Sequence, residues 1–233
     1  ITTDLLSSLN TSVHPPIIPI PVKGDYVTVL KEPREFYDRL CDGIRKATKR
    51  IVLVSLYIGR GPDATQLIEL IDQACTENPN LEVVFLMDYL RGTRPGPQKH
   101  WRKFDKNRFK GFLRLRFKSN IHTDEIKFPA SSVSHILPLL KAHPKNIRAY
   151  FYHTPELGGL LEKLVPRPFN ETVGVQHMKF YCFDDEVIVS GANLEDNYFV
   201  NRLDRYCVFE KAHLLSEYFC GLAKTIGKFS YYL

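Results

Sequence analysis

The 233-residue sequence predicts an α/β fold on three observations. Two apolar strings, IVLVSLYI (51–58) and LEVVFLMDY (81–89), have strand length and are rich in β-branched residues. The segments before and between them carry apolar residues at helical spacing. The two kinds of element alternate as β-α-β-α-β, the order of a sheet built with parallel crossovers.

Taken in order, residues 1–23 read as an extended arm, with Pro15, Pro16, Pro19 and Pro21 favouring an open backbone. The chain starts with Ile, and its first residues do not make an Arg-rich amphipathic transit peptide. A fragment or a processed chain is therefore expected. DYVTVL (25–30) is a predicted strand. In 32–49, Phe36, Leu40 and Ile44 fall on one helical face and Pro33 stands near the start, where its missing N–H costs nothing. IVLVSLYI follows as a buried strand. Residues 63–77 form the second helix, with Leu67, Leu70, Ile71 and Ala74 on its apolar face, and LEVVFLMDY is the third strand. Further on, 131–143 is a helix opened by serines, 146–153 a strand and 155–165 a short helix or turn. HMKFYCFD and EVIVSGAN make a hairpin around Asp184-Asp185, RYCVFE (205–210) is a strand, and an amphipathic helix closes the chain.

Composition narrows the classes. At 44% hydrophobic and 25% charged, the chain is of ordinary globular type, and it has no run of about 18 apolar residues such as a membrane-spanning helix needs. Cys41, Cys75, Cys182, Cys207 and Cys220 are scattered and odd in number, which argues against a zinc site or a disulfide framework. Net charge is +6, unevenly spread: between Arg91 and Lys118 eleven Lys or Arg face one acid, Asp105. Aromatic residues interleave with these charges, so the block suits an anionic membrane surface, stacking on single-stranded nucleic acid, or simply a solvated basic hairpin.

The stretch HMKFYCFDDEVIVSGANL (177–194) carries the chemistry. On a strand, alternate residues share a face, which puts His177 and Lys179 together and turns Met178, Phe180 and Cys182 to the other side. An ammonium beside an imidazole suits a phosphate: Lys179 stabilises negative charge on its oxygens, and a neutral His177 attacks phosphorus or moves a proton. Asn193, after a Gly that permits close approach, adds a donor. A His on a strand is also commonly structural, and Asp184-Asp185 serve equally as turn residues, so spacing alone leaves both readings open.

His177-x-Lys179-x4-Asp184, followed by Gly191 and Asn193, resembles the HxKx4D signature of the phospholipase D superfamily, although here the Asn comes one residue earlier than in many members. The surroundings, YHTPELGG through NRLDRY (152–206), with SLYIGRGP (55–62) and MDYLRGTRPG (87–96), are similar to the first-motif half of the eukaryotic phosphatidylglycerophosphate synthases. The resemblance covers about 24–230, with 98–129 an unfamiliar basic-aromatic insert. It implies a phospholipase D-like mixed sheet flanked by helices, one half of a two-lobed architecture, over residues 24–233. It implies phosphatidyl transfer from CDP-diacylglycerol to glycerol 3-phosphate, with catalytic residues His177 (the nucleophile), Lys179 and Asp184. Lys179 and Asn193 would hold the phosphoryl oxygens. Asp184 would be more structural than reacting, and Asp204 would orient the His of the other half. No cofactor or metal is implied; an anionic membrane surface and a mitochondrial inner-membrane location are.

That family needs two motifs. The other His-x-Lys, His143-Pro-Lys145, has Tyr150 where the Asp belongs. Either a C-terminal half supplies the second His, the favoured reading, or two chains pair. The competing functions are a homodimeric phosphodiesterase or nuclease of the same superfamily and a non-catalytic membrane-binding module.

Overall fold

A computed structural model describes residues 19–95, 130–158, 164–165 and 169–233. The first 18 residues of the expected arm, the basic-aromatic insert 98–129 and residues 159–163 of the 155–165 segment lie outside the described residues.

The chain forms β1 (Val27–Leu30), α1 (Pro33–Lys46), β2 (Arg50–Val54), α2 (Pro62–Glu77), β3 (Glu82–Asp88), α3 (Tyr89–Gly92), α4 (Ser132–Ala142), β4 (Ile147–Tyr152), β5 (Phe180–Phe183), β6 (Glu186–Ser190), α5 (Asp196–Val200), β7 (Tyr206–Phe209), α6 (His213–Gly227) and β8 (Tyr231–Tyr232). The strands make one mixed sheet in the order β1-β7-β6-β5-β2-β3-β4-β8. The neighbours β2, β3 and β4 run parallel, joined by crossovers through α2 and α4. The expectation that β1 opens the same parallel series is corrected: β1 pairs antiparallel with β7 at the sheet edge, Val27 opposite Phe209, and three strands separate it from β2. The register explains this. Val27 to Leu30 are largely exposed, so β1 lacks the two apolar faces that a central strand must bury.

Central strands have both. Ile51, Leu53, Val83, Phe85, Tyr181 and Phe183 pack on one side with Phe36 and Leu40 of α1, Leu67 and Ile71 of α2 and Ile136 of α4. Their alternates Val52, Val54, Val84, Leu86, Phe180 and Cys182 pack on the other side with Cys220 and Ala223 of α6. Burial of each large apolar side chain contributes about 1.5–3 kcal/mol. Gly43 in α1 lets the helix ride close over Phe183, since a Cβ there would come 2.4 Å from that ring. The helix predicted to close the chain stops at Gly227, and β8 then adds an antiparallel edge to β4. Among the described residues, no helix is long and apolar enough to cross a membrane.

Candidate active site

The site lies where β2 and β3 end and β5 begins. His177 and Lys179 occupy the extended segment just before β5 rather than the strand itself. They do share a side: Lys179 Nζ lies 3.2 Å from His177 Nδ1 and donates to the His177 carbonyl at 2.8 Å. Met178 and Cys182 belong to the opposite packing layer, with α6.

Lys179 is buried, at 5% exposure. Loss of solvent draws its pKa down to about 8, against the opposing pull of Asp204. The imidazole of His177 is open at the surface, yet enough protein surrounds it to lower its pKa below the usual 6.5. Partial desolvation is the main cause, followed by the charges of Lys179 and Arg91. At neutral pH the pair is therefore a neutral imidazole beside an ammonium, the combination that nucleophilic attack on a phosphodiester requires.

Asn193 follows β6 and is 2% exposed. Its Oδ1 accepts from Ser55 Oγ and from the Leu56 N–H, each at 3.3 Å. The amide plane is thereby tied to the end of β2, and Nδ2 is left as the donor end. Val54 stands opposite Phe180 as the last pair of the β2–β5 ladder. Asn193 is bonded to the residue that follows β2, and Lys179 is the residue that precedes its partner strand β5.

Asp184 is elsewhere. It occupies the turn at the far end of β5, with φ at 50°, and its carboxylate accepts from the N–H groups of Thr48, Lys49 and Arg50 and from Thr48 Oγ1, at 2.8–2.9 Å. These bonds fix the entry into β2 and hold its pKa below the ordinary carboxylate value, despite the opposing effect of burial. Asp184 thus stands at the opposite end of β5 from Lys179, with the four residues Phe180–Phe183 between them, about 16 Å of extended chain. Asp204 instead lies close to the site, where Oδ1 accepts from the N–H of Gly191 at 3.0 Å and of Arg205 at 2.7 Å. A Cβ on residue 191 would sit 2.6 Å from Asp204 Oδ2, so this contact needs glycine.

The structure adds residues that the sequence reading passed over. Asp88, the last residue of β3, is 1% exposed, and burial raises its pKa to about 6. Its Oδ1 caps α3 by accepting from the Arg91 N–H, and its Oδ2 accepts from the Gln176 N–H, both at 2.9 Å. A carboxylate at the end of an otherwise apolar string was the available signal. Arg91 was counted only as part of the basic block, yet its guanidinium lies 5.0 Å over the ring of Tyr57.

The other described histidines have contacts of their own. His135 contacts the Gly59 carbonyl and Thr65, His143 contacts Asp72, His213 contacts Asp185, and His153 packs against Tyr89.

Comparison with known proteins places this geometry. No protein-family model matches the chain. It is 36% identical over 215 residues to the mitochondrial CDP-diacylglycerol--glycerol-3-phosphate 3-phosphatidyltransferase of Gallus gallus, a match that covers 90% of this chain and 33% of that protein. It is 35% identical over 233 residues to the Saccharomyces cerevisiae enzyme of the same name, covering 99% of this chain and 37% of that one. The chain thus spans about a third of the length of these relatives. Among solved structures, phosphatidylserine synthase of Haemophilus influenzae superposes with a TM-score of 0.59 at 20% identity, over 86% of this chain and 36% of that chain. Nuc of Salmonella typhimurium, a phospholipase D family member, superposes with a TM-score of 0.54 at 12% identity, over 89% of this chain and 97% of that chain. The chain is a homologue of the phosphatidyltransferases and has the phospholipase D fold.

Proposed function

We propose that this chain carries the nucleophile half of a phosphatidyl-transfer site that uses CDP-diacylglycerol and glycerol 3-phosphate. The observation that carries the reading is the His177–Lys179 pair, a lowered imidazole pKa beside a buried ammonium, in a homologue of enzymes with that name. His177 attacks the lipid-side phosphorus of CDP-diacylglycerol. The P–N bond forms as the P–O bond to CMP breaks, and CMP leaves with a proton supplied by a second histidine. That second group then takes the proton of a glycerol 3-phosphate hydroxyl, whose oxygen displaces His177 and releases phosphatidylglycerophosphate. Lys179 and Asn193 bear on the phosphoryl oxygens throughout, and their stabilisation grows as charge develops in the transition state.

The second histidine comes from outside the described residues, either from the rest of a longer chain or from a second copy. A specific observation keeps the second arrangement in play: the fold unit compares with nearly the whole of Nuc but only about a third of phosphatidylserine synthase. Solution mass separates the two. Association with an anionic membrane surface and a mitochondrial location belong to the same proposal, the latter by extension from the names of the relatives.

The test is CMP release from CDP-diacylglycerol by the full-length protein. Release that depends on glycerol 3-phosphate and is lost in His177→Ala is expected. Cleavage of labelled DNA without CMP release would overturn the reading in favour of a phosphodiesterase.

A further inference from the structure

Arg91 adjoins His177, and Arg94 is joined to it through Glu171, but neither has a part in the steps above. The buried carboxylate of Asp88 bridges the backbone N–H of Arg91 and that of Gln176, the residue before His177. One rigid group therefore fixes both the root of Arg91 and the approach to His177. Arg91 Nη1 lies 3.2 Å from Glu171 Oε2, and Arg94 Nη1 lies 3.3 Å from Glu171 Oε1. A single carboxylate thus spans two guanidiniums, one oxygen to each. Neither contact is bidentate, and both are longer than the 2.7–2.9 Å usual for charge-assisted bonds. The arginine side chains are 27% and 38% exposed, so solvent reaches the pair. Asp88 is held by backbone N–H groups, so the one side-chain acid that the two planar forks touch among the described residues is Glu171, through one N–H each. A tetrahedral dianion has the oxygens and the charge to match both forks.

We propose that Arg91 and Arg94 form a binding site for a phosphate monoester dianion beside the His177–Lys179 pair, with Glu171 as the placeholder that the dianion displaces. Its ligands follow from the transfer reading above, on which this inference rests: the acceptor glycerol 3-phosphate and the departing CMP are both phosphate monoesters.

The experiment uses the full-length protein with Arg91→Gln, Arg94→Gln, the double variant and Glu171→Gln. Binding of glycerol 3-phosphate and of inorganic phosphate is measured by calorimetry, alongside the KM for glycerol 3-phosphate and the burst of CMP release. Each arginine variant is expected to weaken phosphate binding on the order of tenfold, as loss of a charged hydrogen-bonding partner does. Glu171→Gln is expected to tighten it, because the competitor loses its charge. A purely structural ion-pair cluster gives the opposite sign for Glu171→Gln, and that variant decides the matter even if an arginine variant melts early. A raised KM with an intact burst assigns the site to the acceptor, and a slowed burst with an unchanged KM assigns it to CMP. Unchanged phosphate binding in a double variant that melts like the parent overturns the proposal, as does weaker binding in Glu171→Gln. Phosphate binding through these arginines without any CMP release leaves the site standing and removes the transfer reading.

Discussion

Replacing Asp184 by Ala is expected to destabilise the protein while leaving the chemistry of the folded fraction intact. The carboxylate accepts four hydrogen bonds at 2.8–2.9 Å from the start of β2. Bonds to a charged acceptor are worth about 1.5–3 kcal/mol each, but this turn is partly exposed, so water replaces some of them in the variant. The backbone adds a cost, since φ at 50° suits Asp or Asn better than Ala by about 1 kcal/mol. The expected loss for Asp184→Ala is about 3–4 kcal/mol, which for a chain of this size lowers Tm by roughly 6–16 °C. Asp184→Asn keeps one acceptor oxygen and the tolerance for positive φ, and about half the loss is expected. The pH dependence has a definite sign. The folded pKa is depressed, so this stabilisation is present above the unfolded value of about 3.9 and fades as pH falls through the lower folded value. Urea melts at pH 7 and in the acid range measure both effects, with CMP release assayed in parallel below the melting transition. A variant as stable as the parent, or an Asp184→Asn protein that is folded but has lost turnover, would refute the structural role.

Four further outcomes are expected. CMP formation follows a bell-shaped pH profile, with an acid limb below pH 6.5 as His177 protonates and an alkaline limb near pH 8 as Lys179 loses its proton. Lys179→Met removes a neighbouring positive charge, so the imidazole pKa of His177, followed by NMR, is expected to rise. Gly43→Ala forces a methyl to 2.4 Å from the Phe183 ring and is expected to cost about 1–3 kcal/mol, read from urea midpoints. Gly191→Ala breaks the approach of Asp204 and is expected to lower turnover more than stability, since the contact lies beside Lys179 at the edge of the fold.

Most of the sheet centre was legible because burial on both faces writes continuous apolar runs into β2 and β3, and burial on one face writes an alternation into β4. The pairing of β1 was not, since alternation with a helix suggests a parallel neighbour and nothing local in VTVL specifies the distant β7 as its partner. Short α5 and two-residue β8 escaped for want of enough residues to show a period. In the site, alternation along the chain made the shared side of His177 and Lys179 legible, while spacing alone left their role open. The separation of Asp184 from them was hidden because the motif is contiguous in sequence while β5 carries its ends apart. Asp88 and Arg91 were hidden for the converse reason: their place beside Gln176 arises only when β3 and the β5 approach meet at the sheet edge.

The central claim is that His177 is the nucleophile, and trapping the intermediate tests it most directly. The full-length protein is mixed with CDP-diacylglycerol labelled at the lipid-side phosphate, without acceptor, quenched under alkaline conditions and mapped by mass spectrometry. A phosphoramidate-linked label on His177, absent in His177→Ala and discharged by glycerol 3-phosphate, is the predicted result. Label on another residue, or parental turnover in His177→Ala, would contradict the account.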